Sequence, residues 1–415
     1  MLHSTSRRAT LTAAAFIAAG TLALTGCAAE GGEDGSTTLS FFSWDNEDVM
    51  GPVIEAFEAE NPDITIEFSN APPVVEYIST LQTRLLSGTA ADVFILAAEN
   101  KSNVIDGGYA LNLDGESFME PIAEFNQQTY SGADGTYGMS VASWGGGVVV
   151  NNDLLAEAGV TEFPSDWDGF LELAGTLSEA GITPYYDNAQ EIPMTLNALL
   201  GDSFSGDPTI DAQIFEGETT FEEQWTPALE TFNELFTEGL VSTDVVGLGG
   251  DQIIDEFVNG RVAMIATGPW NVGNIRSSAP DMDFAFMPFP APDGAGYLPG
   301  AASPGYAINS ATENVDAATA FLEFLSSPEG VELYNAQSSA ITTTSNFDPV
   351  LDDSLEAIVP DVRDGNVYLA QIAWPRSQDV LNTEAIARIQ EMILGQISPE
   401  GVAQAMDAKL AESDG

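Results

Sequence analysis

Four of the six tryptophans sit where a strand is expected to run into a loop, beside side chains that hydrogen-bond sugars. Trp44 is followed by Asp45, Asn46 and Glu47. Trp144 precedes a run of three glycines, Trp270 follows Thr267-Gly268-Pro269, and Trp374 precedes Pro375 and Arg376. A neutral sugar offers apolar C–H faces and a rim of hydroxyls. Proteins meet it with an aromatic plane and flanking Asp, Glu, Asn or Arg. One such tryptophan is ordinarily a packing residue, but four in the same setting point to a shared cleft. Trp167 and Trp225, at helix starts, are assigned to packing.

Other chemistries are narrowed by what is missing. The one histidine is His3 and the one cysteine is Cys27. Ser-His-Asp and Cys-His nucleophiles and His-containing zinc sites are therefore excluded downstream, and no disulfide can form within the chain. There is no P-loop or dinucleotide fingerprint, and Gly145-Gly146-Gly147 precedes a Val-rich strand rather than a helix. No catalytic residue, metal or cofactor is assigned. The 64 acids leave a two-carboxylate glycosidase open as the enzyme alternative.

The elements that would position these residues alternate. Short apolar strands at 39–44, 64–68, 92–98 and 262–266 are interleaved with amphipathic helices. Helices are expected at 48–60, at 77–86 closed by Gly88, from a capping box at Ser165 to Gly181, from Thr226-Pro227 to Gly239, and at 251–259, 382–394 and 398–410. This is α/β architecture with mostly parallel sheets, and a chain of 415 residues divides naturally into two lobes. Ligands of such folds sit outside the carboxyl ends of strands and between lobes.

Arg7 and Arg8 precede an apolar run at 13–24, the pattern of an export signal over 1–26. Leu24-Thr25-Gly26-Cys27 resembles the lipobox of bacterial lipoproteins, which marks Cys27 for lipidation and residues 27–37 as a tether. The formal net charge is −54, from 64 acids against 10 bases. Such a surface repels nucleic acid and anionic headgroups, so a lipid, not charge, would hold the chain at a membrane. It also points to a salty external medium, where screening removes self-repulsion. An acidic surface without salt adaptation fits the composition equally well.

Several segments in order resemble the family 1 extracellular solute-binding proteins, the group that includes the maltose-binding members. They are 57–64 (FEAENPDI), 85–94 (LLSGTAADVF), 134–138 (DGTYG) with 148–155 (VVVNNDLL), 257–270 (FVNGRVAMIATGPW) and 320–330 (AFLEFLSSPEG). The resemblance implies a two-lobe periplasmic-binding-protein-like fold with about three crossing segments. Lobe 1 would be 38–142 plus 302–326 and lobe 2 would be 143–301 plus 327–415. It also implies a monomer that delivers a mono- or oligosaccharide to ABC permease subunits and their ATPase, on the outer face of the cell membrane. Cleft contacts carried over from the family pattern are Trp44, Asp45, Asn46, Glu47, Glu99, Asn100, Ser143, Trp144, Gln190, Glu191, Trp270, Ser303, Tyr306, Trp374 and Arg376. Leu96 and Trp144 stand where the maltose binders have an aromatic residue and an acid, so maltodextrin specificity is not implied. An osmolyte is the alternative ligand, with Arg376 as its cationic partner. A purely structural surface lipoprotein leaves the junction tryptophans unexplained.

Overall fold

The computed structural model describes residues 36–413, apart from 293 and 339. The expected signal segment, Cys27 and nearly all of the tether lie outside the described residues. In chain order, the strands that carry the architecture begin with β1 (Thr37–Ser43), β2 (Ile64–Asn70), β3 (Val93–Leu96) and β4 (Ala142–Gly145). They continue with β5 (Gly147–Asn151), β6 (Thr183–Tyr186), β7 (Val262–Thr267) and β8 (Phe284–Met287). The last are β9 (Leu298–Ala302), β10 (Gly305–Ile308), β11 (Ile341–Thr342) and β12 (Val367–Tyr368).

The first sheet runs β10-β3-β1-β2, with β1 parallel to both β2 and β3 and β10 antiparallel at its edge. Successive strand residues face opposite ways, and β1 needs both faces covered. Phe41 meets Phe321 of the helix Val315–Ser326 at 5.2 Å, while Phe42 stacks on Tyr77 of the helix Val74–Ser87 at 4.5 Å. That second helix ends at Gly88, whose φ of 69° supplies the left-handed cap a side chain would resist. The second sheet runs β8-β5-β7-β6. Only β6 and β7 are parallel in it, so it is mixed rather than mostly parallel.

A third sheet, β11-β4-β9-β12, joins the two bodies. Here β4 leaves the first body, β9 returns to it and β11 leaves again, giving three crossings. Asn126, fully buried on the helix Glu124–Thr129, ties them together. Its amide nitrogen lies 2.9 Å from the Ser140 carbonyl, 3.1 Å from that of Ala142 and 2.9 Å from Thr343 Oγ1. Its oxygen accepts from Ser143 Oγ at 3.2 Å.

Two expectations change. The helix Pro328–Gln337 buries Val331 and Tyr334 in the first core, so the first body does not end at 326. Ser327 Oγ caps this helix through Gly330 N at 3.1 Å and turns the chain back onto the helix Glu47–Glu60. The helix expected from Thr226-Pro227 runs instead from Phe221 to Thr237, with Pro227 inside it. Asp407, from the last helix, accepts from Phe221 N and Glu222 N at 2.8 and 3.0 Å, completing a first turn in which Thr220 Oγ1 already accepts from Glu223 N at 3.1 Å.

Candidate functional site at the strand ends

Four loops carry the site, and each follows the carboxyl end of a parallel strand. After β1, Asp45 N donates to Ser43 Oγ at 2.8 Å, and Asn46 Oδ1 accepts from Val49 N at 3.2 Å to cap the next helix. Glu47 opens that helix, exposed. Trp44 stands edge-on to Tyr77 at 5.4 Å. The Tyr77 hydroxyl donates to the Ile95 carbonyl at 2.7 Å, which holds this pair over the ends of β1 and β3. Asp45 Oδ2 is buried with no partner among the described residues, and burial pushes its carboxyl up to about 6. Its charge also acts on Tyr77, Tyr306 and Tyr334.

After β3 the chain makes one tight turn, Ala98–Asn100. Burial raises the Glu99 carboxyl, and the charge of Glu191 raises it further. Asn100 is 3% exposed, yet neither its amide oxygen nor its nitrogen has a partner. Buried polar groups are nearly always hydrogen-bonded, so these atoms are available to a water molecule or a ligand. Lys101 turns away, its Nζ donating to the Thr129 carbonyl at 2.7 Å, and burial lowers it to about 8.

In the second sheet, the loop after β6 begins with Asp187. Its carboxylate accepts from Met194 N and Thr195 N at 3.2 and 2.9 Å and starts the helix Met194–Phe204. Gln190 and Glu191 lie exposed on the same loop. Desolvation raises the Glu191 carboxyl, followed by the charge of Asp187. Glu191, on the loop after β6, is thus within electrostatic reach of Glu99, on the turn after β3. After β7, Trp270 folds back over Gly268, where a Cβ would meet the indole at 2.0 Å, so a side chain here would push the ring out of this position. Trp270 is 52% exposed and meets Trp144 of β4 edge to face, centroids 5.1 Å apart. Trp144 and Trp44 both border the first core.

The arrangement offers ring edges and faces, carboxylates and unsatisfied amides at the ends of strands from two sheets. Among the described residues, no group of three or more His, Cys, Asp and Glu gathers to hold a metal ion, and no helix is long and apolar enough to cross a membrane. Two cavities lie elsewhere. One is a void of about 10 Å³ in the second core beside Tyr185 and Phe232. The other is a groove of about 350 Å³ at the opposite end of β3, beside Asp92 and Asn309. Asp92 already accepts from Ser40 N and Oγ and from Thr312 Oγ1, so the half-buried acid of this groove is satisfied within the fold.

The profile of the bacterial extracellular solute-binding proteins matches residues 44–332. The chain belongs to that family. A family 1 extracellular solute-binding protein from Bifidobacterium longum subsp. infantis is 33% identical, over 91% of this chain and 100% of that one, with a TM-score of 0.81. Apo RafE from Streptococcus pneumoniae is 18% identical over 91% and 98%, with a TM-score of 0.76. RafE in complex with raffinose is 18% identical over 92% and 100%, with a TM-score of 0.73. A protein described as a binding protein from Brucella abortus (strain 2308) is 28% identical over 255 residues, 59% of this chain and 61% of that protein's length.

Within this solute-binding protein several expected contacts are placed otherwise. Trp374 is fully buried in the second core, stacked on Trp225 at 5.9 Å and edge-on to Phe221 at 6.1 Å. Arg376 donates to the Phe215 carbonyl at 2.8 Å and lies over the Phe215 ring at 5.1 Å. Both pack against the Phe215–Trp225 region, which removes them from the cleft. Ser143 is fully buried with its hydroxyl bonded to Asn126, which commits it to the hinge, and Ser303 N donates to the Ala142 carbonyl at 3.0 Å. Tyr306 is fully buried among Asp45 and Tyr334. One residue was missed: Gln371, on the short helix Ala370–Ala373 against the Ala98–Asn100 turn, with a buried Oε1 lacking a partner. Its only sequence signal is a polar side chain between Ala370 and Ile372, both buried.

Proposed function

We propose that the chain captures a mono- or oligosaccharide between its two bodies and delivers it to the permease of an ABC importer. The observation that carries this reading is the Trp144–Trp270 pair, which joins the crossing strand to the second sheet beside a half-exposed indole. The pair is flanked by loops bearing Trp44, Asp45, Glu99, Asn100 and Glu191. Stacking on one face with carboxylates and amides at the rim is how proteins hold sugars. The raffinose complex of RafE, a protein of the same fold, supports the ligand class. The lipobox-like Leu24–Cys27 run supports anchoring through Cys27 on the outer face of the membrane. The osmolyte reading loses its cationic partner, since Arg376 is committed to Phe215.

A tryptophan-fluorescence and thermal-shift screen against sugars and osmolytes tests the reading. A sugar that quenches emission, raises the melting temperature and is not consumed supports it. Binding of betaine-type osmolytes alone, or hydrolysis of a chromogenic glycoside, overturns it.

A further inference from the structure

We propose that the cleft selects a sugar that carries a protonated amine over its neutral counterpart. This rests on the sugar-binding reading above and names the substrate class within it.

The argument begins with hydrogen-bond supply. The orphaned buried atoms around the turn after β3 and the end of β1 are Asp45 Oδ2, Tyr306 Oη, Asn100 Oδ1, Asn100 Nδ2 and Gln371 Oε1. Three of these only accept, Asn100 Nδ2 only donates, and the Tyr306 hydroxyl can do either. The carboxylates of Glu99 and Glu191 add acceptors from both bodies. A ligand matched to this set must bring more donors than acceptors. A hydroxyl brings one of each kind at least, whereas an ammonium brings three donors and no acceptor.

Charge points the same way. Glu99 lies on the first body and Glu191 on the second, near enough for the charge of one to act on the other. A cation between the two carboxylates would relieve their mutual repulsion. The chain supplies little of its own. Lys101 acts on Glu99, but its Nζ is bonded to the Thr129 carbonyl. Arg84 lies over the Phe42 ring at 4.0 Å and donates to Ser69. Asp187, beside Glu191, adds a further acid whose oxygens are held by Thr195 and Met194. The half-exposed Trp270 and its partner Trp144 provide the aromatic faces that attract an ammonium as well as a sugar ring.

Isothermal titration of the full mature chain at pH 7 tests this with matched pairs: glucosamine against glucose and N-acetylglucosamine, galactosamine against galactose, and chitosan against chitin oligosaccharides. The amine-bearing member of a pair is expected to bind at least tenfold tighter. Glu99→Gln and Glu191→Gln, which keep shape and polarity, are expected to abolish that preference while unliganded melts stay within a few degrees of the parent. Equal or tighter binding of neutral members overturns the inference and leaves the sugar reading standing. Absence of binding by either member of every pair overturns the inference, and the sugar reading falls with it only if the wider sugar screen also finds no ligand. Choline binding as tightly as any amino sugar overturns the inference, because the sugar frame then contributes nothing.

Discussion

Trp144 and Trp270 meet edge to face with centroids 5.1 Å apart and planes at 77°. Trp144 belongs to β4, the first crossing, and borders the first core. Trp270 follows β7 in the second sheet, carried by the short turn Pro269–Asn271. Their contact therefore spans the joint about which two-body binding proteins close, and a ring lying on either indole would feel that closure.

The exposed and the buried tryptophan should separate function from stability. Trp270→Ala is expected to weaken sugar binding by about 1–2 kcal/mol, roughly five- to thirty-fold, with little change in melting temperature. Trp374→Ala removes a ring stacked on Trp225 in a closed core and is expected to cost about 3–5 kcal/mol of stability. Its affinity at a temperature where it remains folded should match the parent. Titration calorimetry and urea unfolding on both variants check this, and reversed effects would return Trp374 to the cleft.

That contrast shows what the sequence makes legible. Strand-helix alternation and local caps such as Asn46 and Gly88 are written in neighbouring residues, so the α/β class and most elements are readable. Trp374 followed by Pro and Arg reads locally like a loop exit. Its burial depends on Phe221 and Trp225, some 150 residues away, which no local pattern reports. The early start of the Phe221–Thr237 helix rests partly on distant Asp407, but also on Thr220, whose hydroxyl caps Glu223 N and is a local signal that the reading from Thr226 passes over. Asn126 lacks a signal and Gln371 offers only its place between two apolar neighbours, because an isolated amide is ordinary in sequence and informative only once its burial and partners are known.

Asn126 should be the costlier of the two hinge residues to truncate. Asn126→Ala strips partners from the Ser140 and Ala142 carbonyls and from the Ser143 and Thr343 hydroxyls, all in a buried joint. Buried groups left without partners cost about 1–3 kcal/mol each before relaxation, so a net loss of about 3 kcal/mol is expected. Ser143→Ala removes one bond and should cost about 1 kcal/mol, with sugar affinity unchanged because its hydroxyl faces Asn126. Urea midpoints rank the two, and a strong affinity loss in Ser143→Ala would place that hydroxyl on the ligand instead.

Asp45 gives a pH dependence with a definite sign. Burial lifts its carboxyl from 3.8 to about 6, so the folded chain holds this proton where the unfolded chain has lost it. Its stabilising contribution is complete below pH 3.8 and is lost as pH rises through about 6. Asp45→Asn fixes the neutral form. The variant should match the parent near pH 4 and exceed it at pH 7.5 by at most about 3 kcal/mol. Asp211, lifted by burial to about 7, titrates over an overlapping range but is present in both proteins, so their difference isolates Asp45. Urea unfolding across that range measures it, and a constant difference between the two proteins at every pH would contradict the assignment.

Salt should stabilise the fold. The chain carries 64 acids and 10 bases. Several of those bases are already engaged: Arg261 with Glu256, Arg276 with Asp352, Arg388 with Glu384 and Glu391, and Lys409 with Glu412. These pairs are partly exposed, and each contributes little, so their loss on screening is small. The many remaining acids repel one another across the surface, and that repulsion is what added salt removes. Between 0.1 M and 1 M sodium chloride the Debye length falls from about 10 Å to about 3 Å, shorter than the spacing of most surface carboxylates. The melting temperature is expected to rise by roughly 5–10 °C over that range, equally in potassium chloride, and then to level off. Scanning calorimetry measures the curve. A melting temperature independent of salt would mean that the acids are spaced widely enough to cause no strain, and the inferred link between this composition and a salty medium would fall.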